Sequence, residues 1–292
     1  MTKKIAYIYV ALTVFLWSSV AAVGKILLKG LDNFQVLFYM LITAIIGLFI
    51  IILLKKKLKE LLKYKLKDYW SFTYMGFLGI FLYSALFFGA LMFAPAQEAF
   101  IVNYTWPIWV VIFASIILKE KFTARKLTAI ILGFIGVYTV VTNGKILEFT
   151  ITNVKGNLLA LGGAVSYGLF SVLGKKDNYD KLNSMFFYHI SGLIFAIPAL
   201  LIFSKITTIN LPQLGGLIWL GTFTTGIAFT LWFLALKYGD TAKMSNIIFL
   251  TPLLSLVWIY FLIGEKILPS SVIGLVLIVT GIIIQSGDKL QK

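Results

Sequence analysis

The chain has no cysteine, one histidine and only eleven acidic residues. The absence of cysteine excludes disulfides, thiolate metal sites and thiol nucleophiles. A metal centre with several protein ligands is not expected either, because such a site gathers Cys, His, Asp or Glu side chains. We therefore predict that the protein holds no metal and no cofactor and is not an enzyme.

Charged residues of either sign are scarce. They make up 13% of the 292 residues, against about a quarter in soluble domains, and the mean hydropathy is +0.96. Ten uncharged stretches, nearly all at least roughly 18 residues long, could each cross a bilayer as a helix. They are 5–24, 33–54, 69–97, 99–118, 127–144, 156–174, 182–204, 206–236, 244–264 and 267–287. This pattern predicts an all-α membrane protein with ten transmembrane helices.

The 26 basic residues fall unevenly on the two sides of such a bundle. Twenty lie on the side that holds both termini, seven of them lysines between Lys55 and Lys67, and six lie on the other side. Cytoplasmic loops carry the excess of Lys and Arg, so we predict that both termini are cytoplasmic. The lysine run either sets this topology or forms an amphipathic stretch that binds anionic membrane lipids. With the charge placed in loops, no nucleic-acid partner is expected.

The two halves of the chain resemble each other. "TWPIWVVIFASIILKEK" matches "LTPLLSLVWIYFLIGEK", which places Pro107 over Pro252 and Glu120 over Glu265 at one constant offset. "AVGK" ending at Lys25 also matches a "VLGK" in the second half at a slightly larger offset. We predict two five-helix repeats, residues 1–146 and 147–292. Because five is odd, the second repeat must be inverted in the bilayer, as in many secondary transporters.

This architecture, with its paired proline and "KEK" or "GEK" motifs, resembles the EamA branch of the drug/metabolite transporter superfamily. The stretches "YVALTVFLWSSVAAVGK" and "AQEAFIVNYTWPIW" are further similar to choline permeases of the lic-locus type, which serve phosphorylcholine decoration of bacterial surface polymers. The resemblance implies a multi-pass protein of the bacterial cytoplasmic membrane. It also implies a cavity lined by the first, third and fourth helices of each half, with the fifth helices as scaffold.

Three functions follow as hypotheses. The first is a secondary transporter that imports a small organic cation, choline, by alternating access, driven by protons or by the membrane potential. The second is an exporter of amino acids or other small metabolites. The third, more remote, is a membrane-embedded enzyme on lipid-linked substrates, which would need clustered Asp, His or Lys side chains.

Glu98 is an acid at the head of a long apolar run. Following Pro95 by three residues, it either offsets the positive end of a helix dipole or serves transport. Glu98 and Trp109 share one helix face by their spacing, so the carboxylate would lie above an indole. As a counter-charge or proton site, Glu98 is our first candidate for both substrate binding and coupling.

Aromatic side chains make up 16% of the chain. Those near the middle of helices are not explained by interfacial belts, and several rings around a quaternary ammonium would each contribute about 0.5 to 2 kcal/mol. Plain packing is the alternative for each ring. The predicted substrate cage consists of Trp17, Trp106 and Tyr167 together with Tyr74, Tyr83 and Trp232.

Four further residues are candidates. Asn103 precedes Trp106 by one helical turn and is assigned to the substrate site. His189 is either a proton relay or a structural, hydrogen-bonded histidine. Pro107 and Pro252 are expected in mid-helix, where they would break the backbone ladder and act as hinges.

Overall fold

A computed structural model of the chain describes residues 3–94, 99, 102–142, 144–148, 153–264 and 269–286. Helices dominate these ranges, and no strand occurs in them. In the first half the helices are α1 (Lys3–Ser18), α2 (Val20–Leu27), α3 (Asn33–Leu54), α4 (Leu58–Leu61), α5 (Leu66–Met75), a first π segment (Gly76–Leu82), α6 (Tyr83–Phe93), α7 (Trp106–Ile117) and α8 (Ala124–Val141).

The second half begins with a short 3₁₀ turn, Ile146–Glu148. It continues with α9 (Val154–Lys176), α10 (Lys181–Phe203), α11 (Leu211–Ile218), a second π segment (Trp219–Ile227), α12 (Ala228–Tyr238), α13 (Thr241–Ile248), α14 (Thr251–Ile263) and α15 (Pro269–Ser286). Polar side chains cap the first turns of several helices. Asp32 forms a capping box with Gln35 ahead of α3, and the Asp240 carboxylate accepts a hydrogen bond from the amide of Lys243.

Eight helical stretches of the described chain are long and apolar enough to cross a membrane. They are Lys4–Gly24, Asn33–Leu54, Leu66–Ala90, Ala124–Val141, Val154–Lys176, Lys181–Phe203, Leu211–Tyr238 and Thr241–Leu262. Two shorter apolar helices, Trp106–Ile117 and Val272–Ile284, accompany them. The prediction of an all-helical protein with many spans is confirmed, whereas the count of ten spans and the inversion of the halves stay predictions.

Helix boundaries recur along the chain at the spacing seen in the sequence motifs. Three pairs of helices, α5 with α11, α6 with α12 and α7 with α14, begin at positions related by the same offset as Pro107 and Pro252. A π segment, in which backbone hydrogen bonds run to the fifth residue, interrupts the third apolar stretch of each half. Equivalent positions therefore adopt the same local backbone in both halves.

Pro107 and Pro252 do not lie inside continuous helices, so that expectation is wrong. Each occupies the first turn of a helix, α7 or α14, that starts after a short turn. Proline is well tolerated there because the amides of a first turn have no partner within the helix. The backbone is interrupted immediately before each of these helices, at 104–105 and 249–250, and the hinge role stays a prediction.

The lysine-rich connections lie at one end of the bundle, where ion pairs join them. These ion pairs are Lys57–Asp180, Lys126–Asp240 at 2.8 Å and Lys175–Glu120 at 2.7 Å. Lys175 also donates to the hydroxyl of Thr241 at 2.7 Å and to the carbonyl of Gly239 at 3.2 Å. All three pairs join the first half of the chain to the second.

The helices α8 and α15 pack closely through glycines. A methyl group added to Gly136 would lie 2.7 Å from the carbonyl oxygen of Gly274, and one added to Gly281 would lie 2.7 Å from that of Ala129. Such contacts are too short for any side chain larger than hydrogen. The fifth apolar helices of the two halves thus form a tightly packed pair.

Candidate functional site

Interruptions of the backbone surround one region in the interior. Helix α1 gives way to α2 at Ser19, and the two π segments and the breaks before α7 and α14 follow further along the chain. In membrane proteins, irregular backbone is tolerated where protein or a cavity surrounds it, and π turns are frequent at functional sites. Five interruptions in one bundle mark this region as the candidate site.

Aromatic side chains next to these interruptions meet in the interior. We call the six that meet the ring cluster: Trp17, Tyr83, Trp106, Tyr167, Phe229 and Trp232. Trp17 is in the last turn of α1, Tyr83 and Trp106 are the first residues of α6 and α7, and Tyr167 lies within α9. The cluster thus draws its rings from both halves of the chain.

The rings contact one another mostly edge to face. Centroids of Trp106 and Tyr167 are 5.0 Å apart, those of Trp106 and Trp232 are 5.5 Å apart, and those of Tyr83 and Tyr167 are 4.8 Å apart. Trp106, Tyr167 and Trp232 are at most 5% exposed. The rings therefore fill one another's space, and a ligand can enter only if they move apart.

Hydrogen bonds fix the orientation of two indoles in the cluster. The Nε1–H of Trp17 donates to the carbonyl oxygen of Thr224 in the second π segment at 2.9 Å, and that of Trp232 donates to the hydroxyl of Ser171 at 3.0 Å. With the polar edge of each indole satisfied inside the protein, only its ring surface is left to contact a ligand once the rings have moved apart.

Two polar atoms beside the rings have no hydrogen-bond partner among the described residues, the hydroxyl of Tyr167 and the side-chain oxygen of Asn103. The amide nitrogen of Asn103 donates a long hydrogen bond, 3.5 Å, to the hydroxyl of Tyr83. Buried polar groups are normally paired, and leaving one unpaired costs about 1 to 3 kcal/mol. A ligand that hydrogen-bonds to these atoms would recover that cost.

The structure does not bring every predicted residue into the cluster. Tyr74 is 46% exposed on α5, and no ring contact of the described chain joins it to the cluster. The ring of Trp109 contacts that of Phe113 in a tilted arrangement, with centroids 6.0 Å apart, and its Cβ lies where a side chain on Gly168 would be. Tyr74 is thus a surface ring, and Trp109 is a packing residue beside α9 that makes no ring contact with the cluster in the described chain.

Glu98 lies outside the described residues. His189 is fully buried on α10, and its Nδ1 is 2.8 Å from the carbonyl oxygen of Met185. Its ring centroid is 6.2 Å from that of Phe229, so His189 adjoins the cluster. Every described Asp and Glu lies at a helix end or in a connection, and no group of three metal-binding side chains occurs in the described ranges.

Phe229 and Ser171 were missed in the sequence. A signal existed for Phe229, because it precedes Trp232 by three residues and so shares its helix face. Ser171 offered no signal, since its role depends on α9 lying beside α12.

Comparison with known proteins identifies the family. The sequence profile of the EamA-like transporter family matches this chain twice, over residues 4–142 and 154–287. The chain belongs to the EamA-like transporter family. It is therefore a multi-pass membrane transporter, and the two matches fall in the two halves that the sequence motifs relate.

Relatives of this EamA-like transporter cover most of its length. An uncharacterized transporter of Archaeoglobus fulgidus is 25% identical over 98% of both chains, and the uncharacterized transporter YyaM of Bacillus subtilis is 30% identical over 74% of this chain and 73% of its own. The aromatic amino acid exporter YddG of Ancylobacter novellus is 28% identical over 65% of this chain and 67% of its own. A crystal structure with 20% identity superposes with a TM-score of 0.85 over 96% of both chains, which shows the shared fold.

Proposed function

We propose that this EamA-like transporter imports choline or a closely related quaternary ammonium ion by alternating access, with the ring cluster as the substrate site. Import would be driven by a proton or by the membrane potential. The two interrupted fourth stretches, which restart at Trp106–Pro107 and Thr251–Pro252, supply the points at which the helices bend during the cycle.

The ring cluster is the observation that carries this proposal. Six aromatic rings from both halves meet in the interior, and the indole nitrogens of Trp17 and Trp232 are already hydrogen-bonded within the protein, which leaves their ring surfaces for a ligand once the cluster opens. A trimethylammonium group binds to such faces by cation–π attraction without needing a hydrogen bond. The movement needed to admit the cation is supplied by the neighbouring breaks in the backbone.

Glu98 completes the proposal as the counter-charge. It precedes Asn103 by only five residues in the sequence, and Asn103 is 4% exposed beside Tyr83. The described acids all lie at helix ends or in connections, so Glu98 is our choice for the carboxylate that either pairs with the cation or exchanges a proton for it.

Export of an amino acid or another small metabolite is the second candidate. Its support is the relative named as an aromatic amino acid exporter, because indole and phenyl side chains would also stack on the ring cluster. A lipid-linked enzyme substrate has no comparable support, since these relatives are named as transporters.

Proteoliposomes containing the purified transporter would test the proposal. We expect saturable uptake of radiolabelled choline that responds to an imposed pH gradient or potential and is absent from protein-free liposomes. Glu98→Gln should abolish uptake, or remove its dependence on pH, while leaving expression and thermal stability near wild type. Counterflow of labelled tryptophan without any choline uptake would instead favour the exporter and overturn our proposal.

A further inference from the structure

A small cavity lies between residues of the two π segments. It is lined by Gly79 and Ile80 of the first π segment, Thr225 of the second, Ser84 of α6, His189 of α10 and Phe229 of α12, with leucine and methionine side chains of α3 closing one side. None of the residues of the predicted substrate cage lines this cavity. Both halves of the chain contribute residues to its lining.

The polar groups that line this cavity have their own protons engaged. The hydroxyl of Ser84 donates to the carbonyl of Ile80 at 2.7 Å, and that of Thr225 donates to the carbonyl of Gly221 at 2.8 Å. A carbonyl oxygen only accepts, so the Nδ1 of His189, at 2.8 Å from the oxygen of Met185, must carry the imidazole proton. The Nε2 of a neutral His189 is then a lone-pair acceptor.

His189 Nε2 is buried and has no hydrogen-bond partner among the described residues. The cavity therefore offers three acceptors and needs a donor from its ligand. None of the lining residues is acidic, and a cation without a counter-charge is costly to bury in such apolar surroundings. A neutral hydroxyl group meets both conditions, whereas an ammonium group meets only the first.

Phe229 connects the cavity to the ring cluster. Its ring centroid lies 6.2 Å from that of His189 and 5.5 Å from those of both Trp17 and Tyr167. A short amino alcohol could thus place its cationic head among the rings and its hydroxyl beside His189. Phe229 thus borders both subsites.

We propose that the His189 cavity is the hydroxyl-recognition subsite of the transporter and distinguishes choline from quaternary ammonium ions that lack a hydrogen-bond donor. This inference rests on the proposed function. It adds a specificity-determining residue, His189, which acts as an acceptor for the substrate's O–H group.

Calorimetry with choline and its O-methyl ether, (2-methoxyethyl)trimethylammonium, tests the subsite, because the ether keeps the charge but cannot donate. We expect the purified wild-type protein to bind choline about 5- to 30-fold more tightly than the ether. In His189→Phe, which keeps a ring but removes the acceptor, the ratio of the two affinities should fall to about 1.

Thr225→Val supplies an independent variant should His189→Phe fail to fold. It removes one acceptor with little change in shape, so the affinity ratio should again fall. Thr280→Val is the matched control, because Thr280 makes the same bond to the fourth preceding carbonyl on an exposed face of α15, and its ratio should equal that of wild type.

The outcomes distinguish failure of the subsite from failure of the proposed function. Equal wild-type affinities for choline and the ether, or a ratio that survives in both His189→Phe and Thr225→Val, would overturn the subsite and leave choline transport standing. Binding of neither compound would overturn the proposed function and the subsite with it.

Discussion

Trp17 contacts four other rings of the cluster, those of Trp106, Tyr167, Phe229 and Trp232, at centroid separations of 5.5 to 6.1 Å. Its indole nitrogen is bonded to the second π segment. A single side chain therefore joins α1 to three other helices and to an irregular part of the backbone. Its removal should affect the site more than removal of any peripheral ring.

We predict that Trp17→Ala weakens choline binding by about 1 to 2 kcal/mol, roughly 5- to 30-fold in affinity, because one cation–π partner is lost. Trp17→Phe should weaken it less, since a smaller aromatic face remains. Calorimetry on folded protein measures both. Trp70→Ala is the control, because Trp70 is 71% exposed at the bundle surface; unchanged affinity in Trp17→Ala would remove this residue from the site.

Asp240 has a structural role that depends on pH. Burial alone would raise the pKa of its carboxyl, but hydrogen bonds from the Lys126 ammonium and the Lys243 amide, and the charges of Lys126 and Lys175, outweigh burial and lower that pKa. The folded-state pKa therefore lies below the unfolded value of about 3.9. The resulting stability is present above about pH 4 and is lost as the pH falls through the lower folded value.

Asp240→Asn should accordingly lower the free energy of unfolding at pH 7 by about 1 to 3 kcal/mol, because it leaves the buried Lys126 ammonium without its counter-charge. The difference from wild type should shrink below pH 4. Thermal unfolding in detergent across this range measures it. Glu148→Gln, at an exposed ion pair with Lys145, should change little, and a difference for Asp240→Asn that persists undiminished at pH 3 would contradict the assignment.

At the scale of elements, the helices of both halves are interrupted at equivalent positions. The π segments and the turns before α7 and α14 recur at or near the offset that relates Pro107 to Pro252, whereas α8 and α15 are regular helices held together by glycines. Regular, tightly packed elements resist deformation, and interrupted ones bend where the ladder of hydrogen bonds is already broken. The bundle thus divides into a rigid pair and a set of bendable helices around the ring cluster.

The packing of α8 on α15 can be tested with a single methyl group. Gly136→Ala would place a Cβ 2.6 Å from Ile278 and 2.7 Å from the carbonyl oxygen of Gly274, and we expect a loss of about 1 to 3 kcal/mol in stability from this overpacking. Gly215→Ala is the matched control, because a Cβ there meets nothing within 4 Å. Equal melting temperatures for the two variants would show that the interface yields without cost.

For the whole molecule, the ion pairs place the lysine-rich connections of both halves at one end of the bundle. Lys57, Lys126 and Lys175 each bind an acid from the other half of the chain. The positive-inside rule predicts that this end is cytoplasmic. The structure supplies the grouping of the loops, and the orientation in the membrane stays a prediction.

Single-cysteine labelling tests that orientation, and the natural chain, which has no cysteine, needs no background removed. We expect a membrane-impermeant maleimide added to intact cells to label Leu147→Cys, at a residue that is 99% exposed in the 145–148 connection. Lys59→Cys, at an exposed residue of α4, should react only after the cells are permeabilised. The reverse labelling pattern would show that the orientation in the membrane is opposite to the predicted one.

The sequence by itself determined that this is a many-spanning helical membrane protein with two related halves. The reason is physical: a helix in lipid must be continuously apolar and satisfy its own backbone hydrogen bonds, so Asn33–Leu54 or Val154–Lys176 can be read directly from hydropathy. The basic loops and the proline pair could also be found from the sequence, because each is a local feature of the chain.

Only the tertiary structure decided which rings meet. Trp17 and Trp232 belong to opposite halves of the chain, and whether they touch depends on how α1 crosses α12, which no local pattern encodes. The same holds for Tyr74 and Trp109, which are aromatic but make no ring contact with the cluster in the described chain, and for Phe229, whose neighbours come from α1, α9 and α10. The π segments escaped prediction because a helix of the same apolar sequence can widen its turn at little cost, and the packing around it decides whether it does.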